Sequence, residues 1–300
     1  MAQTQVQFSG ELRDWILHNL QRGCAPADLV DSMVAQRFEP AVAQGLVAAF
    51  VHARLAGVEP PHDAVTLDLH SEPYRYETPR IAPGTTLRTH DRTVRVALRV
   101  ERPLIVVLDD VLSGEECEQL IAQARPRLAP STIVDPATGM DTIAEHRSSD
   151  GMFFAPQENT LIAHLDRRIA EIMNCPIENG EGLQILRYGV GAQNTPHFDF
   201  LAPSNAANRA SLDRSGQRVS SLVIYLNDVE AGGETVFPEI GLSIAPRRGS
   251  AVYFEYTNSL HQVDHASVHA GAPVGAGEKW VATRWMRERR FIPAAAVSTY

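Results

Sequence analysis

The tripeptide His197-Phe198-Asp199 sets an imidazole and a carboxylate two residues apart. Side chains alternate faces along a strand, so on a strand these two would point to the same side. One further histidine would complete a 2-His-1-carboxylate triad, the donor set that holds Fe(II) and leaves other coordination positions open. Open positions are what a chelating cosubstrate such as 2-oxoglutarate, and then O2, require. Alone, a His-x-Asp pair is a weak signal, because a surface histidine beside an acid is common. Its weight depends on a third donor and a cation further along the chain.

The third donor has to come from a distant strand, and His261, His265 and His269 are all available. His269 is favoured because Lys279 lies ten residues beyond it. The far carboxylate of a buried dicarboxylate needs a cation, since an unpaired buried charge is costly. Lysine supplies that charge as a compact ammonium. Lys279 also opens a run containing Trp280, Val281 and Trp285, a poor setting for a purely solvated side chain.

Positioning such groups takes strands from distant parts of the chain. Runs rich in β-branched and aromatic residues predict strands at Val94–Val100, Leu104–Leu108, Leu183–Tyr188, Ser220–Leu226, Ser250–Tyr256 and Trp280–Trp285. Between them, Ser113 and Glu116 form a capping-box pattern that opens a helix through Cys117, Leu120 and Ile121. Leu161, Ile162, Leu165, Ile169 and Ile172 predict a second helix ending near Met173. Two helices and then many short strands indicate an α+β domain with a sandwich or barrel core. Ahead of it, residues 1–57 read as short amphipathic helices, punctuated by Gly23, Pro26 and Pro40. Residues 58–95 read as a linker or irregular segment, and 96–300 as the main domain.

Composition excludes several classes. The formal net charge of -9 argues against a general nucleic-acid binder, which needs a basic face. No apolar run approaches the ~20 residues of a membrane span. The polar start of the chain lacks the pattern of a signal peptide, so a cytoplasmic protein is expected. Cys24, Cys117 and Cys175 are far apart and odd in number, which predicts neither a disulfide framework nor a thiolate zinc site.

Three stretches in order, LQILRYGVGAQNTPHFDF, SLVIYLNDVEAGGETVFP and SVHAGAPVGAGEKWVATRW, resemble the catalytic domain of the prolyl 4-hydroxylase family of 2-oxoglutarate oxygenases. The resemblance runs from about Glu101 to Phe291, nearly two thirds of the chain. It implies a double-stranded β-helix (jelly-roll) fold, with His197, Asp199 and His269 on Fe(II) and Lys279 on the distal carboxylate of 2-oxoglutarate. By the same resemblance, Tyr188, Thr235 and Trp285 line the cosubstrate pocket, while Arg218 and Arg147 lie toward the substrate. O2 is the second cosubstrate implied, with ascorbate admitted as an accessory reductant, and the substrate is a peptide or protein.

Two positions depart from the family pattern. Asn194 stands where the prolyl enzymes usually carry tyrosine, and Arg287 where they often carry histidine. Both are expected on the substrate side of the metal. Peptidyl-proline 4-hydroxylation is the first expectation, from the resemblance. The same chemistry on another residue or a free small molecule is the second, and a non-catalytic jelly-roll binding module the third.

Overall fold

The computed structural model describes residues 4–56, 59–67, 74–134, 141–143, 149–203 and 205–293. The chain divides into two compact units, Met1–Pro73 and Tyr74–Tyr300, with the boundary inside the segment expected as a linker. Part of that segment is regular, because Ala64–Leu67, Thr86–Arg88 and the start of Thr93–Glu101 are strands.

In the first unit, helices Gly10–Gln21, Pro26–Ala35 and Pro40–Ala56 bury Ile16, Leu20, Leu29, Met33, Leu46 and Phe50 in a core of their own. Ser9 caps the first helix by accepting from the Leu12 amide, and Pro26 sits in the first turn of the second, where its missing N–H costs nothing. Strand Thr4–Gln7 pairs antiparallel with Ala64–Leu67, a ribbon the local pattern does not announce. No helix among the described residues is long and apolar enough to cross a membrane.

The second unit is built on a nine-stranded antiparallel sheet. Its spatial order is Thr86–Arg88, Thr93–Glu101, Leu104–Asp109, Ala251–Glu255, Arg218–Tyr225, Lys279–Arg287, Leu183–Tyr188, Ser149–Phe154 and Ala129–Pro130. A four-stranded sheet, ordered Asn194–His197, His269–Gly271, Thr235–Phe237 and Leu242–Ile244, supplies the other wall. The two sheets form the double-stranded β-helix core of an α+β fold.

Alternation along the central strands explains the layering. Leu183 and Ile185, Leu222 and Ile224, and Trp280 and Ala282 face helices Gly114–Ala124 and Thr160–Met173. Leu186 and Tyr188, Tyr225, and Val281 face the other way, into the space between the sheets. Strands buried on both faces read as continuous apolar runs rather than alternating ones, which is why they stand out in the sequence. The capping box forms as expected, with the Ser113 side chain accepting from the Glu116 amide and Glu116 accepting from the Ser113 amide.

Candidate active site

The space between the two sheets is where the chemistry-bearing residues meet. His197 ends its strand directly opposite His269 on the neighbouring one. This pairing brings the two ring centres to 4.3 Å. Asp199 lies beyond the strand end, so the same-face geometry expected from strand alternation is not what places it. A turn after His197 does so, and sets Asp199 Oδ1 3.6 Å from His197 Nε2 and Oδ2 3.7 Å from His269 Nε2. Donor atoms of the three residues all lie within 4.8 Å of one another, and they are the one such group among the described residues.

Both imidazoles are held in a defined tautomer. His197 Nδ1 lies 2.9 Å from the Thr195 carbonyl, and His269 Nδ1 lies 3.1 Å from that of Ser267. A carbonyl only accepts, so Nδ1 carries the proton in each ring and the Nε2 lone pair is left to face the cluster. Burial, then the neighbouring His197, lowers the His269 pKa to about 4, which keeps it a neutral ligand. Burial alone would raise the Asp199 carboxyl, but the flanking histidines, wherever they are protonated, and the Arg218 guanidinium outweigh it and put its pKa below the usual carboxylate range. Phe254 and Phe237 wall the His269 ring at 4.6 and 5.8 Å between ring centres. Two imidazole nitrogens and one carboxylate, converging within 4.8 Å of one another, fit a divalent iron.

Lys279 begins the strand Lys279–Arg287 and is 5% exposed. Its ammonium lies 5.6 Å from the Tyr188 ring centre and 5.8 Å from that of Tyr225. Among the described residues, none gives it a hydrogen bond or an ion pair. Burial lowers its pKa to about 8, opposed only by the charge of Glu234. The lysine stem packs close to Gly233, where φ is +72° and an added Cβ would come within 3.3 Å of Lys279 Cδ. Thr235, on the opposing sheet, accepts a hydrogen bond from Tyr225 Oη at 2.7 Å, which leaves the threonine proton free to donate elsewhere. A buried ammonium and a buried hydroxyl suit a carboxylate.

Trp285 is six residues along the same strand as Lys279, on the same face and 8% exposed. Its indole Nε1 is buried without a hydrogen-bond partner among the described residues. Arg218 stacks on that ring at 4.1 Å. Its Nε and Nη2 donate to Glu181 at 2.7 and 2.9 Å, and its Nη1 donates to the main-chain oxygen of Asp199 at 3.2 Å. The guanidinium is thus bonded within the site's own frame, at a position that the family resemblance places toward the substrate. Arg147 lies outside the described residues.

The two departures from the family pattern separate in space. Asn194 Nδ2 lies 3.4 Å from His197 Nε2, at the open edge of the cluster. Arg287 is 2% exposed and bonds Glu181 at 3.0 Å and the Gly216 carbonyl at 3.1 Å. It is therefore an internal tie and not a substrate-facing group. Of the rival third donors, His261 is exposed and pairs with Glu288, and His265 stands edge-on to Phe198 and Phe200. Sequence reasoning passed over Glu181 and Ser221. The signal for Ser221 was present: it is a small hydroxyl in phase with the apolar Val223 and with Tyr225 on a strand whose second half is apolar.

Comparison with known proteins converges on the same region. The family pattern described as the 2OG-Fe(II) oxygenase superfamily matches residues 183–287. Prolyl 4-hydroxylase 1 of Arabidopsis thaliana is 42% identical over 202 residues, covering 62% of this chain and 70% of that protein. Prolyl 4-hydroxylase subunit alpha-1 of Gallus gallus is 36% identical over 189 residues, which cover 63% of this chain but 36% of that subunit. The viral collagen prolyl hydroxylase of Paramecium Bursaria Chlorella virus-1, solved as a 2-oxoglutarate complex, aligns with a TM-score of 0.48 at 27% identity, over 61% of this chain and 95% of that one.

Proposed function

Because the chain belongs to the prolyl 4-hydroxylase family of Fe(II)- and 2-oxoglutarate-dependent oxygenases, we propose that it hydroxylates a prolyl residue in a peptide or protein substrate. The observation that carries this reading is the pairing of one complete donor cluster, His197, Asp199 and His269, with a buried cation, Lys279, that no described residue neutralises. His197 and His269 would offer Nε2 and Asp199 a carboxylate oxygen to Fe(II). Lys279 and the Thr235 hydroxyl would hold the distal carboxylate of 2-oxoglutarate, with Tyr188 and Trp285 as aromatic walls. When bound, iron supplies the redox step in which 2-oxoglutarate is oxidised by O2 to succinate and CO2 while one oxygen atom enters a substrate C–H bond.

What the chain itself contributes is orientation and dryness. The Thr195 and Ser267 carbonyls fix the two imidazoles, Arg218 and Glu181 fix the turn that carries Asp199, and Phe237 and Phe254 exclude water from the His269 side. The Asn194 carboxamide beside His197 supports a second reading, in which the same chemistry acts on a different residue, because a polar amide stands where the family pattern implied by the resemblance has tyrosine. The three free cysteines, Cys24, Cys117 and Cys175, accord with a reducing compartment, and we place the protein in the cytoplasm on that ground.

The test is turnover of the Fe(II)-loaded protein against a panel of proline-bearing peptides, read by succinate release and peptide mass. Peptide-stimulated succinate, with one oxygen added at proline, is expected. Oxygen added at another residue would establish the second reading. Absence of peptide stimulation across the whole panel would overturn both.

A further inference from the structure

Ser221 has no exposed surface and sits in the middle of the strand Arg218–Tyr225, opposite Trp285 on one side and Phe254 on the other. In that apolar setting its hydroxyl has two partners. Oγ lies 2.5 Å from Asp199 Oδ2 and 3.0 Å from the Tyr256 hydroxyl. The direction of both bonds is set by proton counting. An ionised carboxylate can only accept, so the single Ser221 proton goes to Asp199. The proton between Ser221 and Tyr256 must then come from the tyrosine, whose pKa is raised by burial and by the nearby Asp199. The result is a one-way chain, Tyr256 Oη to Ser221 Oγ to Asp199 Oδ2. Arg218 holds the same residue from its other end, at the main-chain oxygen.

We propose that Ser221, oriented by Tyr256, is a positioning residue that pins Asp199 Oδ2 so that the carboxylate presents a single oxygen to the metal. A carboxylate free to turn can chelate through both oxygens and take up a position that the cosubstrate or O2 needs. One held at Oδ2 by a short, charge-assisted hydrogen bond cannot turn without leaving a buried hydroxyl and a buried carboxylate oxygen unsatisfied. Outer partners of this kind typically govern metal affinity by 10–100-fold. The inference rests on the reading of His197, Asp199 and His269 as metal ligands.

The experiment compares Ser221→Thr with Ser221→Val in the full-length protein. Both add similar bulk to a filled position and both suit a strand, so packing effects cancel and the hydroxyl is what differs. Mn(II) binding is read by electron paramagnetic resonance, without turnover. The threonine variant is expected to stay close to the wild-type Kd, and the valine variant to bind roughly 10–100-fold more weakly. Ser221→Ala, which cannot overfill the site, is expected to fall with the valine variant and serves if neither larger residue is accommodated. Equal Mn(II) affinity in the threonine and valine variants, or an unchanged Kd in Ser221→Ala, overturns the proposal while the ligand assignment stands. A wild-type protein that binds no Mn(II), or a His269→Ala variant that binds it normally, overturns the ligand assignment itself.

Discussion

The two ends of the candidate site are finished to different degrees. At the metal end the polar atoms flanking the donors have partners within the chain: both Nδ1 atoms bond backbone carbonyls, Asp199 Oδ2 accepts from Ser221, and the Asp199 carbonyl accepts from Arg218. At the cosubstrate end Lys279 is 5% exposed with its ammonium bonded to no described residue. The difference reflects what each end must accept. A metal binds through lone pairs that these partners leave open, although Asn194 Nδ2 lies 3.4 Å from the one on His197 Nε2, so most of the frame around it can be completed in advance. A carboxylate binds through the very protons of an ammonium, and any internal partner would have to be displaced. The protein therefore carries a desolvated cation until its ligand arrives, and binding relieves that cost.

The largest effect should come from removing a donor at the finished end. Asp199→Ala takes away the anion of the cluster and leaves the Ser221 proton without its acceptor. Mn(II) binding and 2-oxoglutarate consumption should both fall below detection. Retained metal binding would mean that the histidines suffice, and the contrast between the two ends would fail. At the unfinished end, Lys279→Met keeps an unbranched stem but removes the charge. Truncating one partner of a buried charge pair costs about 2–5 kcal/mol, so 2-oxoglutarate affinity should drop roughly 100-fold with Mn(II) affinity unchanged. The ligand-free variant should also unfold at higher denaturant than the wild type, because a buried ammonium without a partner has gone. A variant less stable than the wild type would show that the lysine is already satisfied.

What could be read in advance divides along physical lines. The strand at Leu183–Tyr188 was legible to the residue, and Lys279–Arg287 nearly so, because burial on both faces favours largely apolar runs rather than strict alternation. The small sheet was not legible as strands. Asn194–His197 contains a proline and His269–Gly271 ends on glycine, and segments of three or four residues show no period. His197 and Asp199 were recognisable as a pair, yet a turn, and not strand alternation, brings them together. The ribbon joining Thr4–Gln7 to Ala64–Leu67 spans far more chain than any local pattern covers. Glu181 was invisible for the same reason. Its partners Arg218 and Arg287 lie 37 and 106 residues away, and nothing near Glu181 in the sequence marks it as the anion that holds both.

The smallest effect is also the most specific test of the contrast, because it titrates the unfinished end directly. Lys279 loses its proton near pH 8 in the folded protein and near the ordinary 10.5 when unfolded, burial being the cause. Below pH 8 both states are protonated and the full burial cost is present. Between 8 and 10.5 the unfolded chain binds one proton more than the folded one, so this group makes stability rise with pH across that window. The gain is on the order of 3 kcal/mol at its upper end. Tyrosines and cysteines titrate in the same range, so the measurement is the difference between wild type and Lys279→Met in denaturant unfolding of ligand-free protein at several pH values. The stability advantage of the methionine variant should shrink steadily from pH 8 upward. The dicarboxylate, in contrast, requires the ammonium, so 2-oxoglutarate affinity should fall about tenfold per unit above pH 8, with proton uptake on binding. Parallel stability curves for the two proteins would mean that the Lys279 ammonium is solvated or paired after all, and the two ends of the site would then be equally complete.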